Sequence, residues 1–66
     1  MHISLNGQEA DARSAQTVAE LIGRFELSPE TILIEHNGVA LHRREWQQKA
    51  LTDGDRIEII RVTAGG

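Results

Sequence analysis

An α+β fold, with one mixed sheet of four to five strands and a single main helix packed on one face, is what this 66-residue chain predicts. Three observations carry that expectation. Two Asn-Gly dipeptides, Asn6-Gly7 and Asn37-Gly38, each follow an apolar stretch and mark tight hairpins, because both residues tolerate positive φ. Between them, one stretch repeats apolar residues at helical spacing. The final apolar run, Arg56 to Val62, fits a strand that leads almost directly into the last residues.

The elements follow in order. Met1, Ile3 and Leu5 alternate with His2 and Ser4, a period of two that predicts a strand with one buried face. Gln8 to Ala12 returns weakly, with Ala10 and Ala12 as its inward candidates, and is expected at a sheet edge. Thr17-Val18-Ala19-Glu20 has the spacing of a capping box, with Glu20 reaching back to a Thr17 N-cap. Val18, Leu21, Ile22 and Phe25 then recur at i, i+3, i+4 and i+7, one apolar stripe along a helix. Leu27-Ser28-Pro29 is expected to end that helix, since the residue before proline avoids the helical region. Thr31 to His36 predicts a strong strand, and Val39 to His42 its return after Asn37-Gly38. Arg43 to Ala50 is polar, expected to be irregular or a short helical turn pinned by Trp46 and Leu51. Asp53-Gly54-Asp55 is a turn. The first and last strands are free to lie side by side. The expected division is one domain over residues 1–62 and a flexible tail over 63–66 that ends in Gly65-Gly66.

The last strand carries the most information about surface. Ile57 and Ile59 point to one face and Ile60 and Val62 to the other. One helix covers only one face, so Ile57 and Ile59 belong to the core, with Arg61 at its rim. Ile60 and Val62 then stand on the open face beside the tail, where contiguous apolar residues mark a docking surface.

Composition excludes several functions. A chain this short has room for one core and none for an enclosed active site. Its net charge is −3 and its seven Lys and Arg are scattered apart from Arg43-Arg44, which argues against nucleic acid. No run approaches the ~18 apolar residues of a membrane helix and no signal-peptide layout opens the chain, so a cytoplasmic location is expected. The absence of Cys excludes disulfides, thiolate metal sites and a cysteine nucleophile. A two-residue turn pairs His36 with Val39 and sets His42 near Leu33, so these imidazoles do not share a metal. Asp53-Gly54-Asp55 lacks the downstream bidentate Glu of a calcium loop. Glu9, Glu20, Glu30, Glu35 and Glu58 fall on separate elements without an acid–base partner. No phosphate-cradling glycine pattern occurs. What chemistry there is lies at Gly65-Gly66, where the lack of Cβ lets the chain thread a narrow channel.

Ile3-Ser4-Leu5-Asn6-Gly7, Thr17-Val18-Ala19-Glu20-Leu21, Asn37-Gly38-Val39, Arg44 with Trp46, Leu51 through Ile59 and the final Gly65-Gly66 stand in a specific order and spacing. Together they resemble the thiamine-biosynthesis sulfur-carrier (ThiS) family of ubiquitin-like β-grasp proteins, over essentially the whole chain. One departure is His42-Arg43-Arg44-Glu45-Trp46, where family members often carry Pro before the Arg. The resemblance implies a carrier with no catalytic residue and no bound cofactor or metal, a monomer when free. A ThiF-like adenylyltransferase would use MgATP to activate the Gly66 carboxylate. A persulfide donor such as a cysteine desulfurase would convert it to a thiocarboxylate, and a ThiG-like thiazole synthase would receive the sulfur. Gly65 would give access, and Ile60, Val62 and Ala64 would touch partners. Two rivals share the fold and the glycine end: the small subunit of molybdopterin synthase, and a protein modifier that forms isopeptide bonds. A third is a non-covalent β-grasp binding module.

Overall fold

The computed structural model describes residues 1–62; the tail positions 63–66, and with them Ala64, Gly65 and Gly66, lie outside the described residues. Five strands form one sheet: β1 (His2–Leu5), β2 (Gln8–Asp11), β3 (Ile32–His36), β4 (Val39–Leu41) and β5 (Arg56–Arg61). Their order is β2-β1-β5-β3-β4, so the last strand in sequence is the central one in space. It runs parallel to β1 and antiparallel to β3, and both hairpins are antiparallel. The single helix, α1 (Val18–Arg24), packs Val18, Leu21 and Ile22 against Ile3, Ile34 and Ile57 to form the core with Trp46 and Leu51. This is the mixed sheet with one helix on one face that the hydrophobic pattern predicts.

Both hairpins close on two residues, with Asn6 and Asn37 near φ +50° and Gly7 and Gly38 near +85°. Those angles define the turn whose twist matches that of the flanking strands. Each turn does a second job. The Asn6 amide nitrogen donates to Ile57 O at 2.9 Å, and its side-chain Oδ1 accepts from Ile59 N at 2.7 Å. On the far side of the same strand, Asn37 N donates to Arg56 O and Asn37 Oδ1 accepts from Arg56 N, both at 2.8 Å. The two turn asparagines therefore grip β5 from both neighbours. This matters most on the β1 side, where the ladder registers only Ser4 with Arg56 and Leu5 with Ile57.

The structure differs from expectation at three points. Met1 is exposed rather than inward, because β1 begins at His2 and only the Met1 carbonyl is held, by Ala12 N. At the helix start, Thr17 Oγ1 does accept from Glu20 N, but the Glu20 carboxylate takes the Gln16 amide rather than that of Thr17. The helix stops at Arg24, well before Pro29. Glu26 turns left-handed at φ 56°, Glu26 N donates to Gly23 O, and Leu27 N donates to Ile22 O. This double bond pattern closes a helix on a left-handed residue, a place usually held by glycine. Pro29 instead opens a 3₁₀ turn, Pro29–Thr31, that delivers the chain to β3.

A non-glycine residue in that conformation is strained by about 1–2 kcal/mol. Glu26→Gly is therefore expected to stabilise the protein by about 0.5–1 kcal/mol, after the extra entropy of an unfolded glycine is subtracted. Urea denaturation with an unchanged m-value checks it.

Candidate docking face

The helix covers one side of the sheet and leaves the other open. On β5, Ile57 is fully buried and Ile59 packs against the core, whereas Ile60 and Val62 remain 44% and 46% exposed. Arg61 is exposed, as its place at the rim requires. Leu33, the register partner of Ile60 on β3, is 56% exposed on the same open face. Sequence reasoning placed Ile60 and Val62 there and missed Leu33. The signal was available, because Leu33 falls between Ile32 and Ile34, both buried, and strand neighbours point to opposite faces. Val62 N donates to Thr31 O at 2.8 Å, so the residue just before β3 holds the chain up to the last described residue. Ala64, Gly65 and Gly66, the other predicted site positions, lie beyond it.

The start of β5 is fixed by a buried acid. Asp55 is 6% exposed, and its carboxylate accepts from Thr52 N at 2.9 Å, Thr52 Oγ1 at 2.8 Å and Asn37 Nδ2 at 3.1 Å, with His36 Nε2 at 2.8 Å. Burial pushes its pKa up, but the contacts to His36, Thr52 and Asn37 outweigh burial and hold the carboxyl well below the usual range. The neighbouring loop atoms tie the same turn to β1: His2 N donates to Asp53 Oδ1, Gly54 N to His2 O and Ser4 N to Asp55 O. The Asp53-Gly54-Asp55 turn is thus a joint between three strands. His36 bonds Asp55 within it, and His42 continues β4 toward Leu33, as the register predicts. Among the described residues, no group of three or more His, Asp or Glu is placed to hold a metal ion. No helix among them is long and apolar enough to cross a membrane.

On the helix side, a cleft of about 670 Å³ runs between α1 and the second 3₁₀ turn, Arg43–Glu45. Ile22, Leu27 and Trp46 line it, together with Arg43 and Arg44. Trp46 is buried, and its Nε1 finds no acceptor among the described residues. The cleft lies across the sheet from the open face.

Residues 3–66 match the model of the ThiS family. The sequence is 32% identical to sulfur carrier protein ThiS of Escherichia coli K12, over the full length of both chains. It is 29% identical to a thiazole synthase of Paramagnetospirillum magneticum, of whose length it spans only 20%. The crystal structure of a thiamine biosynthesis protein (ThiS) of Geobacter metallireducens superposes with a TM-score of 0.83 at 28% identity, each chain covered completely.

Two outcomes follow from the geometry. Ile60→Thr keeps a β-branched side chain on an open face and is expected to change stability by less than about 1 kcal/mol, whereas Ile57→Ala costs about 2–5 kcal/mol; urea midpoints compare them. Asp55 has a folded pKa below its unfolded value of about 3.9, so its stabilisation is complete above that pH and fades as pH falls further. Asp55→Asn is expected to lose about 2–3 kcal/mol at pH 7 and to flatten the acid limb between about pH 5 and pH 2. Thermal midpoints measured across that range check the sign.

Proposed function

The chain belongs to the ThiS family, and from that premise we propose that it carries sulfur, on the carboxyl of Gly66, for building the thiazole of thiamine. The observation that carries this reading is the end-to-end correspondence with a named sulfur carrier, 32% identical over all 66 residues of each. The fold supports it: exposed Leu33 on β3, Ile60 on β5 and Val62 just past β5 form an apolar face beside the strand that precedes Gly65-Gly66 by only a few residues. Residues 63–66, fully extended, reach about 13 Å at ~3.3 Å each, enough for a recessed site.

A carboxylate is a poor electrophile with no usable leaving group. A partner adenylyltransferase therefore supplies MgATP: a Gly66 carboxylate oxygen attacks the α-phosphorus, pyrophosphate departs, and an acyl-adenylate forms. The terminal sulfur of a protein persulfide then attacks the acyl carbon and expels AMP, leaving an acyl disulfide. A thiol reductant cleaves its S–S bond, which leaves the thiocarboxylate on Gly66 and a disulfide on the donor side. The carrier itself supplies access at Gly65 and a docking grip at Ile60 and Val62, with Ala64 between grip and reactant. With no Cys in the chain, no internal thiol competes for the persulfide. A segment similar to this chain occurs within a protein named thiazole synthase, which supports a thiazole synthase as the acceptor.

Deletion of Gly66 is expected to abolish sulfur loading and thiazole rescue in an auxotroph while the thermal midpoint stays unchanged. Intact-mass measurement on protein co-produced with its partners checks the loading, since it resolves exchange of one oxygen for sulfur. Full rescue by the deletion variant overturns the reading. Rescue of a molybdenum-cofactor mutant alone supports the molybdopterin branch, and a ladder of higher-mass conjugates in lysate supports a modifier.

A further inference from the structure

The open face is divided into an apolar row and an acidic one. Leu33 and Ile60 face one another across the β3–β5 ladder, with Val62 beside them, and in the next row on the same face Glu35 stands directly opposite Glu58. Side chains so placed have Cβ atoms about 5 Å apart, and two like charges there work against the pairing of the strands. Neither carboxylate is neutralised within the chain: among the described residues the ion pairs are His2–Glu9 and His36–Asp55. Arg56 lies two positions before Glu58 on the same face and pairs with neither. The other neighbour of Glu35 is Ala40 on β4, which offers no charge. Nor do the two carboxylates gather a third metal-ligating group among the described residues, which is too few for a dedicated divalent-cation site.

The geometry points to Glu35 and Glu58 as a receptor for an arginine of the adenylyltransferase, and so as a determinant of which enzyme this carrier engages. This rests on the carrier reading above. The partner surface places an apolar side chain on Leu33, Ile60 and Val62, and its arginine lies between the two acids. A guanidinium has five N–H donors in a planar fork and can reach both carboxylates at once, which a compact ammonium does less well. Docking in this register brings the strand that leads to Gly66 to the enzyme, and the acidic row sets orientation and encounter rate rather than bulk affinity.

A self-repelling pair kept for a partner has a signature that a structural pair lacks: its removal improves the free protein and impairs the complex. The test is pyrophosphate release by the cognate adenylyltransferase with MgATP, measured for wild type, Glu35→Gln/Glu58→Gln and a charge-matched control on the helix side, Glu20→Gln/Glu26→Gln. At 0.1 M salt, where charges are screened over about 10 Å, the acidic-row double variant is expected to lose about tenfold in kcat/KM, carried mainly by KM. At 1 M salt, where screening acts over about 3 Å, its deficit shrinks toward zero. Its thermal midpoint rises by about 1–5 °C, and the control stays within about twofold of wild type. Wild-type activity together with an unimpaired double variant overturns the inference alone, as does an equal loss in the control or a lowered thermal midpoint. Absence of pyrophosphate with the wild type refutes the carrier reading itself, and this inference with it.

Discussion

Everything in this small sheet depends on how β5 is held. It comes last in the chain yet lies between β1 and β3, so it must make contacts on both edges, one parallel and one antiparallel. The parallel edge is brief, and side chains extend it: Asn6 reaches Ile59 N from one turn, Asn37 reaches Arg56 N from the other. Asp55 fixes the entry point by accepting three hydrogen bonds and bonding His36, so a buried charge here has no unmet demand. Residues that read as turn formers are equally the fasteners of the central strand.

Much of this was legible in the sequence, because it follows from local rules. Alternation located β1, apolar runs located β3 and β5, the Asn-Gly pairs located the hairpins, and the parity of Ile57 against Ile60 assigned the two faces. Applied to Leu33 as well, the same parity would have found the rest of the apolar row. The misses have a common origin. The helix stop was sought at Pro29 because proline is a visible breaker, whereas the operative left-handed residue is Glu26, which no composition rule marks. The role of Asp55 was invisible because its partners His36 and Asn37 stand 19 and 18 positions earlier, and only the fold brings them together. Reading the acid as part of a turn was sound for the backbone and silent about the side chain.

The single sheet thereby divides its labour by residue parity. On β5, Ile57 and Ile59 face the core while Glu58 and Ile60 face outward; a slip of one residue would exchange them. The fasteners at Asn6, Asn37 and Asp55 guard against that slip, so what stabilises the globule also keeps the outward row presented.

The placement of the final strand in the middle has a further consequence for biosynthesis. A ribosome emits both hairpins and the helix before it emits residues 56–61, so the nascent chain holds two half-sheets whose inner edges have nothing to pair with. The long-range contacts that close the sheet form only once β5 has been emitted. A product terminated before residue 56 therefore lacks the keystone strand and the outward row that β5 carries. Emission of β5 and closure of the sheet coincide, an order of events written into topology.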